Sequence, residues 1–447
     1  MLLRTTCVSC PETGVVNFRG PACRESAESG GSVFGNDERS DGECDVTVTV
    51  IGVDDGPLPE GAAELLNSAE LVVGSRGQLR ALAPEGARTV ELGSFGPALS
   101  ALSALAGDET GVVLASGDPG FFGAVRALRD KGLRCAVLPA LSSVQRLMAR
   151  VGRSWDDAAV ISARVGGVRR ALNVCRARSA VVVLTTSGAG PAQLGAGLRG
   201  WRRTLVVGED LGGKHERVTT VEPAEAAERT WLEPNVVFCV TDPDAVPERG
   251  WHGGGEPVPP EGWALPEEDF SHREGTITGS EVRAVALAGL APRPGCLVWD
   301  VGAGSGSVAV ECARMGAAGI AVESDEAQVV RLVSNATAHG VDVRVVEGAA
   351  PGVLRELPKP DSVFVGTPDS EVLTACAHVG AERVVLALNE LDRVAASRDV
   401  LRKAGYRVEG VQLAANRLSE LEDGSARLTA RDPVVLLRGF RSADDQG

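Results

Sequence analysis

The chain contains no apolar run near the ~18–20 residues that a membrane-spanning helix needs, and no basic surplus: 45 Lys and Arg stand against 60 Asp and Glu, a formal charge of −15. That balance argues against a nucleic-acid surface, which requires a basic stripe. It does not exclude an anionic small molecule, since a few arginines can bind one locally. Histidine is scarce, and His215, His252, His272, His339 and His378 have no ligand-like spacing. No Ser/His/Asp constellation is visible either. Cys7 and Cys10 form a CxxC, with Cys23 and Cys44 further on, but the second tight pair of a structural zinc site is missing, so no metal is expected. The other six cysteines, Cys135, Cys175, Cys239, Cys296, Cys312 and Cys376, are scattered singly and read as small apolar fillers. The start, residues 1–10, lacks the apolar stretch of a signal peptide, which leads us to expect a cytoplasmic protein.

What is present is a 447-residue chain, 44% apolar, long for a single core and therefore expected to hold two domains. Residues 1–44 are rich in Gly, Ser, Glu and Asp without apolar periodicity and read as a flexible tail. From 45 to 241, strand-like runs alternate with helix-like stretches, the pattern of an α/β domain. The strand candidates are 46–51, 70–73, 112–115, 135–138, 181–184, 205–207 and 236–240. Residues 242–272 carry Pro243, Pro247, Pro257, Pro259, Pro260, Pro266 and Gly253-Gly254-Gly255, a composition expected of a linker with few regular elements. From 273 to 440 a second α/β domain follows. Its helix at 280–290 precedes strands at 296–301, 319–323, 343–347, 362–366, 383–388, 406–413 and 434–438. The last two have no clear helix between them, which predicts a doubly wound, Rossmann-like sheet with an antiparallel end.

Each α/β region holds a glycine loop in the order strand, tight turn, helix, where glycines let the backbone approach a ligand. The second loop is Gly302, Ala303, Gly304, Ser305, Gly306. Glu323 follows at the end of the next strand, placed to accept from both hydroxyls of a ribose. A dinucleotide site would want glycine three residues after Gly304, where Ser307 stands, so the loop favours S-adenosylmethionine. The first loop, Gly117-Asp118-Pro119-Gly120-Phe121-Phe122-Gly123, is unlike the second and suggests a separate site for the same cofactor.

Three segments of the second region resemble the carbon-15 precorrin methyltransferase family of cobalamin synthesis. They are Thr276-Ile277-Thr278-Gly279-Ser280-Glu281-Val282-Arg283, the Trp299–Gly306 loop and Glu347-Gly348-Ala349-Ala350-Pro351. The tail from Ala415-Asn416-Arg417 through Arg431-Asp432-Pro433-Val434 is similar to that family's closing hairpin. The resemblance implies a class I methyltransferase fold in which Thr278, Gly302 to Gly306, Glu323 and Ala350 touch the cofactor. One departure is Val365-Gly366-Thr367-Pro368-Asp369-Ser370, where the family has a more glycine-rich loop.

The first region resembles the tetrapyrrole methylases, and within them the carbon-5 precorrin branch. The resemblance lies in Val50-Ile51-Gly52-Val53-Asp54-Asp55-Gly56, Val72-Val73-Gly74-Ser75-Arg76, the Gly117–Gly123 loop and Leu138-Pro139-Ala140-Leu141-Ser142-Ser143. It implies cofactor contacts at Gly52, Gly117, Asp118, Pro119, Gly123, Ser142 and Ser143. Here the first loop is a residue short and carries Asp54 where a second glycine is usual, and Ser162–Gly167 replaces a histidine-containing segment.

In this order the two regions resemble the decarboxylating precorrin-6Y C(5,15)-methyltransferase family. The resemblance implies two S-adenosylmethionine sites, methylation of carbons 5 and 15 of a tetrapyrrole, loss of the ring C acetate carboxyl and a homo-oligomer. No catalytic side chain is assigned. A substrate with many carboxylates calls for arginines at the site mouths, and Arg417, Arg427 and Arg431 are the candidates. Alternatives are a class I methyltransferase acting on RNA or protein with a recognition module in front, a non-enzymatic cofactor-binding scaffold, and the same family with an inactive first half.

Overall fold

A computed structural model describes residues 47–441, apart from 55, 94, 107–108, 246–261, 274–276 and 367–368. The expected tail over 1–44, with Cys7, Cys10, Cys23 and Cys44, lies outside these residues, as does most of the Pro/Gly-rich stretch.

The described residues build three larger sheets, with helices between their strands, and a small hairpin. The first sheet holds β1 (Thr47–Val53), β2 (Leu71–Gly74), β3 (Arg88–Glu91), β4 (Thr110–Ser116) and β5 (Cys135–Leu138) in the order β3-β2-β4-β1-β5, all parallel. Buried parallel strands read as unbroken apolar runs because both faces are covered. Val48, Val50 and Val113 face one cluster, and Ile51, Val112 and Leu114 face the other.

The second sheet holds β6 (Ala159–Ser162), β7 (Ala180–Leu184), β8 (Thr204–Glu209), β9 (Arg217–Val221) and β10 (Asn235–Val240), in the order β6-β7-β10-β8-β9. It is antiparallel except for β6 against β7. The single α/β domain expected over 45–241 thus contains two sheets. Three strands were not anticipated: β3, β6 and β9. All three are outermost in their sheets, and an edge strand such as Arg88–Glu91 keeps one flank in water and lacks the apolar run that marks an inner strand.

The third sheet comprises β11 (Leu297–Val301), β12 (Ala318–Glu323), β13 (Val343–Glu347), β14 (Ser362–Val365), β15 (Arg383–Leu388), β16 (Arg407–Leu413) and, after the hairpin β17 (Asn416–Glu420) and β18 (Ala426–Ala430), β19 (Val434–Phe440). Its order is β13-β12-β11-β14-β15-β19-β16, parallel up to β15 and antiparallel beyond. This is the doubly wound sheet with an antiparallel end that the sequence predicts. Residues 262–272, expected to be linker, are packed: Leu265 and Phe270 are buried against the helices Ser307–Arg314 and Glu326–Ala338.

The helix Ala163–Ala177 lies between the second and third sheets, and one apolar cluster runs through it. Ala171, Val174 and Cys175 share that cluster with Val181 and Val237 on one side and Trp299 and Ile320 on the other. Polar contacts fasten the seam. Arg169 Nη1 donates to Asp361 Oδ1 at 2.7 Å, Asn173 Nδ2 to the Gly295 carbonyl at 3.0 Å, and Arg203 Nη1 to Asp342 Oδ2 at 2.5 Å. Gly295, Asp342 and Asp361 all precede strands of the third sheet, so the seam lies at the edge where those strands begin. Among the described residues no helix is long and apolar enough to cross a membrane.

Candidate functional site

Where the strands of the third sheet end, the central strand β11 turns into the helix Ser307–Arg314 through Gly302–Gly306. In a doubly wound sheet this is the switch point, the crevice in which ligands bind. Gly302, Gly304 and Gly306 have φ of 70°, 55° and 76°, left-handed values that favour glycine. At Gly306 a Cβ would lie 2.5 Å from Leu332 Cγ, so no side chain fits there. Gly302 N and Ala303 N both donate to the Val322 carbonyl, at 3.0 and 3.1 Å, pinning the loop to β12.

Val301, Gly302, Val322, Glu323, Ser324, Gly348, Ala349, Ala350 and Val372 line an open cleft of about 150 Å³. Of the expected contacts, Gly302, Glu323 and Ala350 therefore meet in one place. The Glu323 carboxylate takes Gly304 N on Oε2 at 2.7 Å, and Ser324 N and Asp325 N on Oε1 at 2.7 and 2.8 Å. These three backbone donors fix the orientation of the carboxylate and leave Oε2 with an unused lone pair. Asp300, buried beneath the loop, accepts from Ala309 N at 3.0 Å. Burial pushes its carboxyl up to about 7.

Thr278 is not part of the cleft lining. Its carbonyl accepts from Arg283 Nη1 at 2.6 Å, within a buried network that the sequence reading assigned no role. Arg283 Nε donates to Glu311 Oε1 at 2.5 Å, and both side chains are wholly inaccessible to solvent. Glu311 also accepts from Ala264 N and Leu265 N at 2.5 and 3.0 Å, while Arg283 Nη2 bonds to the Leu265 carbonyl. The pair thus clips residues 264–265 and Thr278 to the helix that starts at the glycine loop. Asn335, also buried, does the same elsewhere: its Nδ2 donates to the carbonyls of Ser271 and Ser305 at 2.9 and 2.8 Å. The only sequence sign of this scaffolding is a charged or amide residue on an otherwise apolar helix face.

Arg417 and Arg427 lie on the β17–β18 hairpin. Arg417 pairs across with Thr429 and Ser419 with Arg427, and alternate residues share a face, so Arg417 and Arg427 point to the same side. Arg417 was expected to meet substrate carboxylates, but its guanidinium is engaged by Glu267, Glu281 and the Ser280 hydroxyl. That arrangement holds Glu267 down at about 2. Arg427 and Arg431 are exposed. Thr367 and Pro368, in the loop that departs from the family, lie outside the described residues.

In the first sheet, β1, β4 and β5 end together. A Cβ on Gly52 would lie 2.4 Å from the Gly117 carbonyl oxygen and 2.5 Å from Ala140 N. Gly117 has φ 69°, and its Cβ would meet Ser142 Cα at 3.2 Å. Gly52, Gly117 and Ser142 therefore lie backbone against backbone, a candidate second cradle. Ser142 caps the helix Ser143–Val151, accepting from Gln145 N while Ser142 N donates to the Gln145 side chain. Asp118, Pro119 and Gly123 fold on themselves rather than reaching across: Gly120 N donates to Asp118 Oδ1 at 2.8 Å, and a Cβ on Gly123 would lie 2.4 Å from the Pro119 carbonyl oxygen.

The comparisons with known proteins follow this division. The family described as tetrapyrrole (corrin/porphyrin) methylases matches residues 47–227, and the one described as precorrin methyltransferase domain matches 268–421. A precorrin-6Y C(5,15)-methyltransferase [decarboxylating] from Sinorhizobium sp is 38% identical over 272 residues, 58% of this chain and 62% of that protein. One of the same name from Mycobacterium tuberculosis (strain CDC 1551 / Oshkosh) is 32% identical over 350 residues, 72% of this chain and 80% of that protein. A probable cobalt-precorrin-6B C(15)-methyltransferase (decarboxylating) from Pyrobaculum calidifontis is 36% identical over 187 residues, 39% of this chain and 95% of that protein. With both glycine cradles inside the matched ranges, the chain belongs to the precorrin-6Y C(5,15)-methyltransferase (decarboxylating) family.

Proposed function

We propose that the chain methylates carbons 5 and 15 of a precorrin-6B-type tetrapyrrole and removes the ring C acetate carboxyl as carbon dioxide, in the synthesis of cobalamin. The observation that carries this reading is the 32% identity to the Mycobacterium relative over 80% of that protein's length. S-adenosylmethionine supplies the methyl group on a sulfonium. That each of the two cradles takes its own S-adenosylmethionine is part of the proposal, supported by their separate sheets and unlike loops.

At the third sheet, the backbone of Gly302–Gly306 allows close approach, Glu323 Oε2 accepts a hydroxyl, and Val301, Val322, Ala350 and Val372 give the cleft an apolar wall. Among the residues lining this cleft only Glu323 carries a carboxylate, and no basic side chain is present. Little else is needed, because an electron-rich meso carbon is already a nucleophile and the macrocycle takes up the electrons left by the carboxyl. Placement supplies the acceleration. Arg427 and Arg431 are proposed to receive substrate carboxylates. We further propose a homo-oligomer, which sedimentation of the purified protein tests.

Mass spectrometry of the product from purified protein, S-adenosylmethionine and a precorrin-6B-type substrate tests the whole. Two added methyls with loss of carbon dioxide is the expected result. One methyl with loss of carbon dioxide would leave the first cradle inactive, and an unchanged substrate would overturn the reading.

A further inference from the structure

At the first cradle the backbone is closely packed, since a Cβ on Gly52 would lie 2.4 Å from the Gly117 carbonyl oxygen and 2.5 Å from Ala140 N, and the loop after β1 meets the helix Ser143–Val151. One side-chain pair joins the two. Arg146, one turn into that helix, binds the carboxylate of Asp54, two residues past Gly52. The Arg146 and Asp54 side chains are only 18% and 15% exposed. Asp54 Oδ1 also accepts from Gly56 N at 2.9 Å, which curls the loop around the carboxylate.

On its other side the guanidinium lies against Gly212, at φ 92°, where a Cβ would be 2.7 Å from Arg146 Nη1. Gly212 N donates to Glu216 Oε2 at 2.6 Å, and Glu216 is paired with Arg150, four residues beyond Arg146 on the same helix face. The helix thus grips a loop of the first sheet with Arg146 and a loop of the second with Arg150. Arg146 Nε is buried without an acceptor. Nη2 makes the bond to Asp54, and without Asp54 that acceptor is gone.

We propose that Asp54 and Arg146 form a latch that sets the geometry of the first cradle, making both positioning residues for methyl transfer there. This rests on the reading that the first cradle takes its own S-adenosylmethionine. The latch gives a role to Asp54, which stands where the family resemblance leads one to expect a second glycine. The third sheet makes no use of it and serves as an internal control.

The test is calorimetric titration of the full chain with S-adenosylhomocysteine, alongside product mass spectrometry and thermal unfolding. The wild type is expected to bind two equivalents. Asp54→Ala and Asp54→Asn are expected to keep one at unchanged affinity, weaken the other at least about 10-fold and yield product one methyl short. Asp54→Glu, which restores the charge, is expected to recover most of the binding. Two unaltered sites in Asp54→Ala would overturn the latch while leaving the two-cradle reading intact. A single equivalent in the wild type would overturn that reading and the latch with it. Loss of both sites together, with a lowered unfolding midpoint, would make the pair a matter of fold stability and overturn the positioning role.

Discussion

Arg417 Nη1 and Nη2 each lie 2.6 Å from a carboxylate oxygen of Glu267, 150 residues earlier in the chain. The bidentate pair fastens the β17–β18 hairpin to the segment leading to Thr278, and Glu281 adds a second carboxylate to the same guanidinium. Glu267 is mostly buried, so removing Arg417 strands a carboxylate. Arg417→Ala is expected to lose roughly 2 kcal/mol of stability, read as a shift in the urea midpoint.

The same contact gives a signed pH dependence. Glu267 is lowered from 4.5 to about 2, first by the Arg417 hydrogen bonds. A lowered folded-state value adds stability that is fully present above 4.5 and disappears as pH falls through about 2. Denaturant melts between pH 5 and 2 should show an acid limb in the wild type that is flattened in Glu267→Gln.

Asp300 works in the opposite sense. Burial raises it from 3.8 to about 7, so its contribution is fully present below 3.8 and is lost as pH rises through about 7. Asp300→Asn keeps an acceptor for Ala309 N and removes the titration. Its stability between pH 4 and 8 is expected to be flatter than the wild type's, measured by denaturation at intervals across that range.

Two glycine substitutions should separate the cradles. Gly306→Ala puts a Cβ 2.5 Å from Leu332 at a left-handed φ, and Gly52→Ala puts one 2.4 Å from the Gly117 oxygen. Overpacking and backbone strain of this kind cost about 1–3 kcal/mol. On the proposed two-site reading, mass spectrometry should show that Gly306→Ala abolishes the decarboxylating methylation and Gly52→Ala only the other.

Breaking the buried Arg283–Glu311 pair from one side should cost about 3–5 kcal/mol, since it leaves an uncompensated buried charge. The double variant Arg283→Met with Glu311→Leu is expected to be more stable than either single change. A double-mutant cycle on unfolding free energies checks this.

Strands facing apolar neighbours on both sides were legible from sequence, as were the two glycine loops, because each obeys a local rule. Val181–Leu184 can be little but an inner strand, and a glycine turn between strand and helix advertises itself. The edge strands Arg88–Glu91 and Arg217–Val221 could not be read, because they are mostly exposed and lack an apolar run. Nor could the roles of Glu311, Asn335 and Arg146. Each acts through partners distant in the chain, such as Arg283, Ser271 or Asp54, and charge on a helix face reads as solvated until its neighbour is known. Arg417 shows the reverse error: an arginine near a site suggested an anionic ligand, and the anions proved to be the chain's own.

The seam around the helix Ala163–Ala177 has one more implication. Trp299 and Ile320 belong to the same apolar cluster as Ala171 and Val174, while Asp361 and Asp342 are held by Arg169 and Arg203. A nick between residues 246 and 261 would therefore yield two fragments that migrate together under native conditions and separate only in denaturant. The peptide connection supplies both parts in equal number, and the seam keeps them joined.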